Sequence, residues 1–190
     1  MVDWAWKDLN VLNGNASSVP PLLSALLHGA FEEREHAFRA LCTRVVNQGD
    51  LYSSAAAVTD VILKELNAGL KISENAWLLL HEIFRGSSYG RTVMIGSCEW
   101  SIDEYCRSRI LDSIELIDGL IEDLSDEEFS YAMLLLGSMG EFTNSVMPIM
   151  ERESCTPKEG RRVAACNALE VARELWCESH EGSDGNLVDQ

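Results

Sequence analysis

The sequence predicts an all-α fold, an α-solenoid of about four antiparallel helix pairs, on three observations. Apolar residues recur at three- and four-residue steps along most of the chain, while alternating strand-like runs are scarce. Several helix starts are spelled out by Ser or Thr three residues before Glu. Short Gly- or Asn-containing links separate segments of helical length, which implies antiparallel neighbours in units of roughly 40 residues.

In chain order, the periodicity places helices at about 18–28, 31–47, 52–67, 73–85, 102–124, 126–137, 141–152 and 157–178. The first opens on Ser18-Val19-Pro20-Pro21. Asn47-Gln48-Gly49, Asn67-Ala68-Gly69 and Gly86 close later ones. Ser101-Ile102-Asp103-Glu104, Ser125-Asp126-Glu127-Glu128 and Thr156-Pro157-Lys158-Glu159 each carry capping-box spacing, and Pro157 stands where a first-turn proline costs no hydrogen bond. In 102–124, Ile110, Ile114, Ile117, Ile121 and Leu124 form one stripe, with Asp112, Glu115 and Glu122 opposite. Residues 86–100 are Gly- and Ser-rich around a short apolar centre, consistent with a long loop or a brief hairpin. Trp4 and Trp6 are expected to cap the first helix pair. One domain is expected over 1–178, followed by a flexible acidic tail over 179–190.

The formal charge is −16, from 31 acids against 15 Lys and Arg. Such a surface repels phosphate backbones and anionic lipid, so neither nucleic acid nor membrane is an expected partner; it attracts a basic protein. No apolar run approaches the roughly 18 residues of a membrane helix, and the first ten residues lack the apolar core of a secretory signal. The six scattered cysteines, with no CxxC pair, point to reduced thiols in a cytoplasmic protein rather than a disulfide framework or a zinc site.

Catalytic signals are weak, and neither a catalytic residue, a metal nor a cofactor is expected. His28, His36, His81 and His180 are far apart in sequence. Glu32-Glu33-Arg34-Glu35-His36 lacks metalloprotease spacing, and no GxSxG, P-loop or GxGxxG occurs. The distinctive feature is acid: Glu99, Asp103, Glu104, Asp112, Glu115, Asp118, Glu122, Asp123, Asp126, Glu127 and Glu128, opposed within that span by Arg107 and Arg109. Capping accounts for Asp103, Glu104 and Glu128. Asp112, Glu115, Asp118, Glu122 and Asp123 sit where negative charge does not help a helix dipole, so these five are the candidate partner-binding acids. Tyr89, Trp100 and Tyr105 are candidate anchors beside them, since interfaces enrich such side chains, with a place in the core as the equal alternative.

Leu134-Leu135-Leu136-Gly137-Ser138-Met139-Gly140, then Val146-Met147-Pro148-Ile149-Met150, then Arg161-Arg162-Val163-Ala164-Ala165-Cys166-Asn167-Ala168-Leu169, resembles a HEAT repeat. In that pattern Pro148 would bend an outer helix, and Ala164, Ala165 and Ala168 would let two helices approach closely. Val45-Val46-Asn47-Gln48-Gly49-Asp50-Leu51-Tyr52-Ser53-Ser54-Ala55-Ala56-Ala57-Val58 is similar to a segment of bacterial HEAT-like proteins. Some proteins of that kind and size are immunity proteins beside polymorphic toxins. The resemblance covers about 30–60 and 130–175 and implies a non-catalytic binding protein whose partner is a basic toxin domain. A scaffold holding peptide or protein partners is the alternative, and a HEAT-like enzyme the remote third.

Overall fold

Where a serine hydroxyl can satisfy the free N–H groups of a first turn, the chain starts a helix. In the computed structural model, which describes residues 3–181 (side chains through 180), Ser125 Oγ accepts from the Glu128 backbone N–H at 3.2 Å. The Glu128 carboxylate returns the favour to the Ser125 N–H at 2.7 Å. Ser73 does more. Its buried hydroxyl accepts from the Ala76 N–H and donates to the Leu26 carbonyl at 2.7 Å, pinning one helix start to another helix's end. The described chain is mostly helical, as expected.

Two compact units divide it, Met1–Leu116 and Ile117–Gln190. The first begins with a 3-10 turn (Trp6–Asp8) and a two-residue hairpin, β1 (Asn10–Val11) with β2 (Gly14–Asn15). The helices α1 (Val19–His28) and α2 (Phe31–Val45) follow and pack on each other. Next come β3 (Val46–Asn47) and β4 (Asp50–Leu51), then α3 (Ser54–Asn67) and α4 (Glu74–Arg85). The longest hairpin, β5 (Thr92–Ile95) with β6 (Cys98–Ser101), leads into α5 (Ile102–Leu111), and α6 (Ile114–Leu120) carries the chain across the division. Trp77, Phe84, Leu26, Leu41, Ile62 and Ile102 are the large, fully buried side chains at the centre of this unit. The second unit holds a 3-10 turn (Ile121–Asp123), α7 (Asp126–Met139), α8 (Met147–Glu153) and α9 (Glu159–Glu181).

Several expectations are corrected. The segment 102–124 is not one helix. Asp112 caps α5 with its N–H on the Ser108 carbonyl, and Ser113 Oγ takes the Ile110 carbonyl at 2.6 Å, so α6 starts afresh. Ile110, Ile117 and Ile121 are nonetheless buried, so the stripe survives the break. The segment expected as a helix from 141 begins only at Met147. Pro148, lacking an N–H, lies in the first turn of α8 and starts that helix instead of bending it. Within 86–100 a hairpin does form, over 92–101 once its last residue is counted, and 46–47 leave the helix for a strand. Gln48 (φ +53°) and Gly49 (φ +86°) supply the two left-handed positions of a tight hairpin turn there. Helix packing also departs from consecutive pairing: α3 lies chiefly on α5, and α7 chiefly on α9. α9 runs on to Glu181, three residues into the expected tail; the rest of that tail, 182–190, lies outside the described residues.

The α7–α9 packing shows how small residues set a distance. A Cβ built on Gly140 would stand 2.4 Å from Ala172 Cα, and one on Gly137 3.1 Å from the Ala168 carbonyl oxygen. Ala165, Ala168 and Ala172 are buried opposite, so the two backbones meet without a side chain between them. Arg161 closes the start of this layer. Its guanidinium donates to the Leu124 and Ile121 carbonyls and to Asp126, and stacks 4.8 Å from the Phe129 ring.

Candidate protein-binding surface

The β5–β6 hairpin is clamped at its base. Leu51 N–H donates to the Ser87 carbonyl and Ser87 N–H to the Gly49 carbonyl, so the strand residues before it are tied to β4. Arg91 donates to the Leu51 carbonyl at 2.9 Å, pairs with Asp50 and lies over the Tyr52 ring. From the other side, Arg107 donates to the Phe84 and Gly86 carbonyls and to Asp103. Ser88 and Ser101 both give their hydroxyl protons to Asp103. Burial alone would raise the Asp103 carboxyl, but those hydroxyl bonds and Arg107 hold it below its ordinary range.

On this rigid base the hairpin and the turn that leads into it leave large apolar groups in water. Tyr89 is 74% exposed, Met94 58% and Trp100 41%. Tyr89 sits at φ +49°, a left-handed conformation that costs an aromatic residue strain. Met94 pairs with exposed Glu99 across the ribbon, on the face opposite the buried Val93. Trp100 shares the Val93 face and meets the Tyr105 ring edge-on at 6.1 Å.

The five candidate acids do not share one environment. Asp112 and Glu115 are exposed in the first unit. Glu122 and Asp123 are exposed in the second. Asp118, also in the second, is partly covered and pairs with Arg152 at 2.6 Å, so its charge is matched within the fold. Asp126 is likewise taken by Arg161.

A polar network that sequence reasoning missed centres on Asp60, in α3. Its carboxylate accepts from Trp4 Nε1 at 3.1 Å, Tyr105 OH at 2.9 Å and Arg109 Nε at 3.0 Å. Burial, then the bond to Asp60, pushes the Tyr105 phenol well above its usual range, so it remains a donor. The one available signal was an acid inside the apolar run Ala55–Leu63; its partners are more than 40 residues away and left none. The network forms one wall of a cleft of about 1150 Å³. Lys64, Asn67 and Asp112 contribute polar groups to it, and Leu63, Ile95 and Leu116 apolar walls.

Among the described residues no cluster of three or more His, Cys, Asp or Glu could hold a metal, and no helix is long and apolar enough to cross a membrane. His81 is half-buried beside Glu82, and burial lowers its pKa. Burial also pushes the Cys42 and Cys106 thiols up to about 12, far from nucleophilic. No family model, no curated protein and no solved structure matches the chain.

Proposed function

We propose that this chain is a cytoplasmic, non-catalytic protein-binding module, an immunity-type protein on a HEAT-like helical scaffold that occludes a basic toxin domain. The observation that carries the reading is the clamped hairpin and its preceding turn, which keep Tyr89, Met94 and Trp100 in water on a chain of charge −16. Exposed aromatics on a pre-ordered element lose little entropy on docking, and the acid excess steers a basic partner toward them. An aromatic side chain held in water on a strained backbone, as Tyr89 is, favours a role in contact.

The test begins with the tagged chain captured from its native host, eluted along a salt gradient, and the stoichiometric partner identified by mass spectrometry. With that partner, Tyr89→Asn removes the anchor while suiting the left-handed backbone. Binding should fall about tenfold or more with the melting temperature unchanged or raised. Neutralising Asp112 with Glu115, and separately Glu122 with Asp123, should flatten the salt dependence. Full affinity in all three variants would refute the surface. A scaffold for peptides is the second reading, favoured by the cleft beside the hairpin, and it predicts several partners with modest salt dependence.

A further inference from the structure

The cleft on the Asp60 wall is contiguous with the hairpin, because Ile95 and Gly96 of the hairpin turn line it and Tyr105 touches both Trp100 and Asp60. We infer that this cleft receives a basic side chain, carried by the protein that seats on the hairpin. The inference rests on the protein-binding reading and names what the partner inserts.

Four observations support it. Asp60, only 12% exposed, is held by three donors, Trp4 from the N-terminal segment and Tyr105 and Arg109 from α5, so the wall is rigid before any ligand arrives. Arg109, which lines the same wall, is paired with Asp60 through Nε at 3.0 Å, so its charge is offset within the wall. What remains charged along the cleft is Asp3 and Asp112 against Lys64, a net negative lining, and Asp112 is exposed to whatever enters. Finally, Leu63, Ile95 and Leu116 provide apolar surface for a methylene stem, while Asp112 and the Asn67 amide oxygen offer acceptors to its charged head. A long side chain with an apolar stem and a cationic end fits that arrangement. A carboxylate or phosphate would meet uncompensated negative charge.

The probe is N-acetyl-arginine amide, with N-acetyl-citrulline amide as its neutral isostere and N-acetyl-aspartate amide as the anionic control, titrated into the full-length chain by amide NMR. Saturable shifts at Lys64, Asn67, Ile95, Gly96 and Leu116 with arginine, and none with citrulline or aspartate, are expected. Asp112→Asn should weaken arginine binding about threefold to fivefold, and Lys64→Gln should strengthen it by a similar factor. Both side chains are exposed, so neither change threatens the fold. Equal shifts with citrulline, preference for aspartate, or shifts that spread over other acids without saturating would each overturn the inference. The protein-binding reading fails separately, if the captured partner ignores Tyr89→Asn while arginine still titrates the cleft.

Discussion

Arg161 shows what a single side chain can carry. It is 7% exposed and donates to two main-chain carbonyls at the entry to α7 and to Asp126, with Phe129 beneath its plane. Removing it takes the donor from those carbonyls and opens a void over the Phe129 ring, so Arg161→Ala should cost about 2–4 kcal/mol in urea unfolding. Arg161→Lys recovers little of that, because an ammonium cannot reach three acceptors in a plane. Arg173, paired with Glu151 in the open, should cost less than about 1 kcal/mol when changed to Ala. The cysteines divide on similar grounds. Cys98, Cys155, Cys166 and Cys177 are exposed, whereas Cys42 is half-buried and Cys106 buried, with thiol pKa values pushed up to about 12 by burial. At pH 8 a thiol reagent should modify the first four quickly, Cys42 slowly and Cys106 only on unfolding. Ordinary thiols of the unfolded chain ionise near 9, below the folded values, so the stability contributed by the Cys42 and Cys106 thiols is intact below pH 9 and is lost as pH rises toward 12.

At the scale of elements, the α7–α9 seam depends on absent side chains. Gly140→Ala would place a Cβ 2.4 Å from backbone, which neither helix can yield without separating. It should destabilise the chain by about 1–3 kcal/mol. Gly119→Ala, in α6, meets nothing within 4 Å and should stabilise by about 0.5–1 kcal/mol through helix propensity. Thermal melts of the two variants should therefore move in opposite directions. The same seam marks how far sequence could be read. Apolar periodicity located every long helix, because burial on one face leaves a period in one segment. Ser125 and Glu128 marked a real cap for the same reason, both partners lying within one turn. Thr156 and Pro157 carried the same spacing, yet α9 starts only at Glu159. Ser101 spends its hydroxyl on Asp103, so spacing alone did not decide. The break after Leu111 depends on one hydroxyl turning to one carbonyl, which no periodicity records. Tyr89 and Trp100, named from sequence as anchor candidates, are exposed. The Asp60 network was not, since Trp4, Tyr105 and Arg109 reach it across 56, 45 and 49 residues.

Across the whole molecule, charge is the property that most sets this chain apart. An excess of sixteen negative charges on 190 residues repels itself at low ionic strength, and the ion pairs that relieve it consume acids such as Asp118 and Asp126 but leave Asp112, Glu115 and Glu122 exposed. A fold selected only for stability would gain by neutralising exposed acids; a fold that must attract a basic partner keeps them. The two pressures predict opposite responses to one substitution set. Converting Asp112, Glu115, Glu122 and Asp123 to their amides removes four of the sixteen excess charges, and should raise the melting temperature slightly in low salt and not at all in high salt, where screening already does the same work. Association with a basic partner should slow in the same variant, by about tenfold at low salt, with dissociation nearly unchanged, because long-range attraction acts on the encounter and not on the docked contacts. Stopped-flow mixing across a salt series separates the two. A loss confined to the association rate assigns the acids to steering and leaves Tyr89, Met94 and Trp100 to hold the complex. A loss confined to dissociation would place the acids in the contact itself and overturn the division of labour between charge and hairpin.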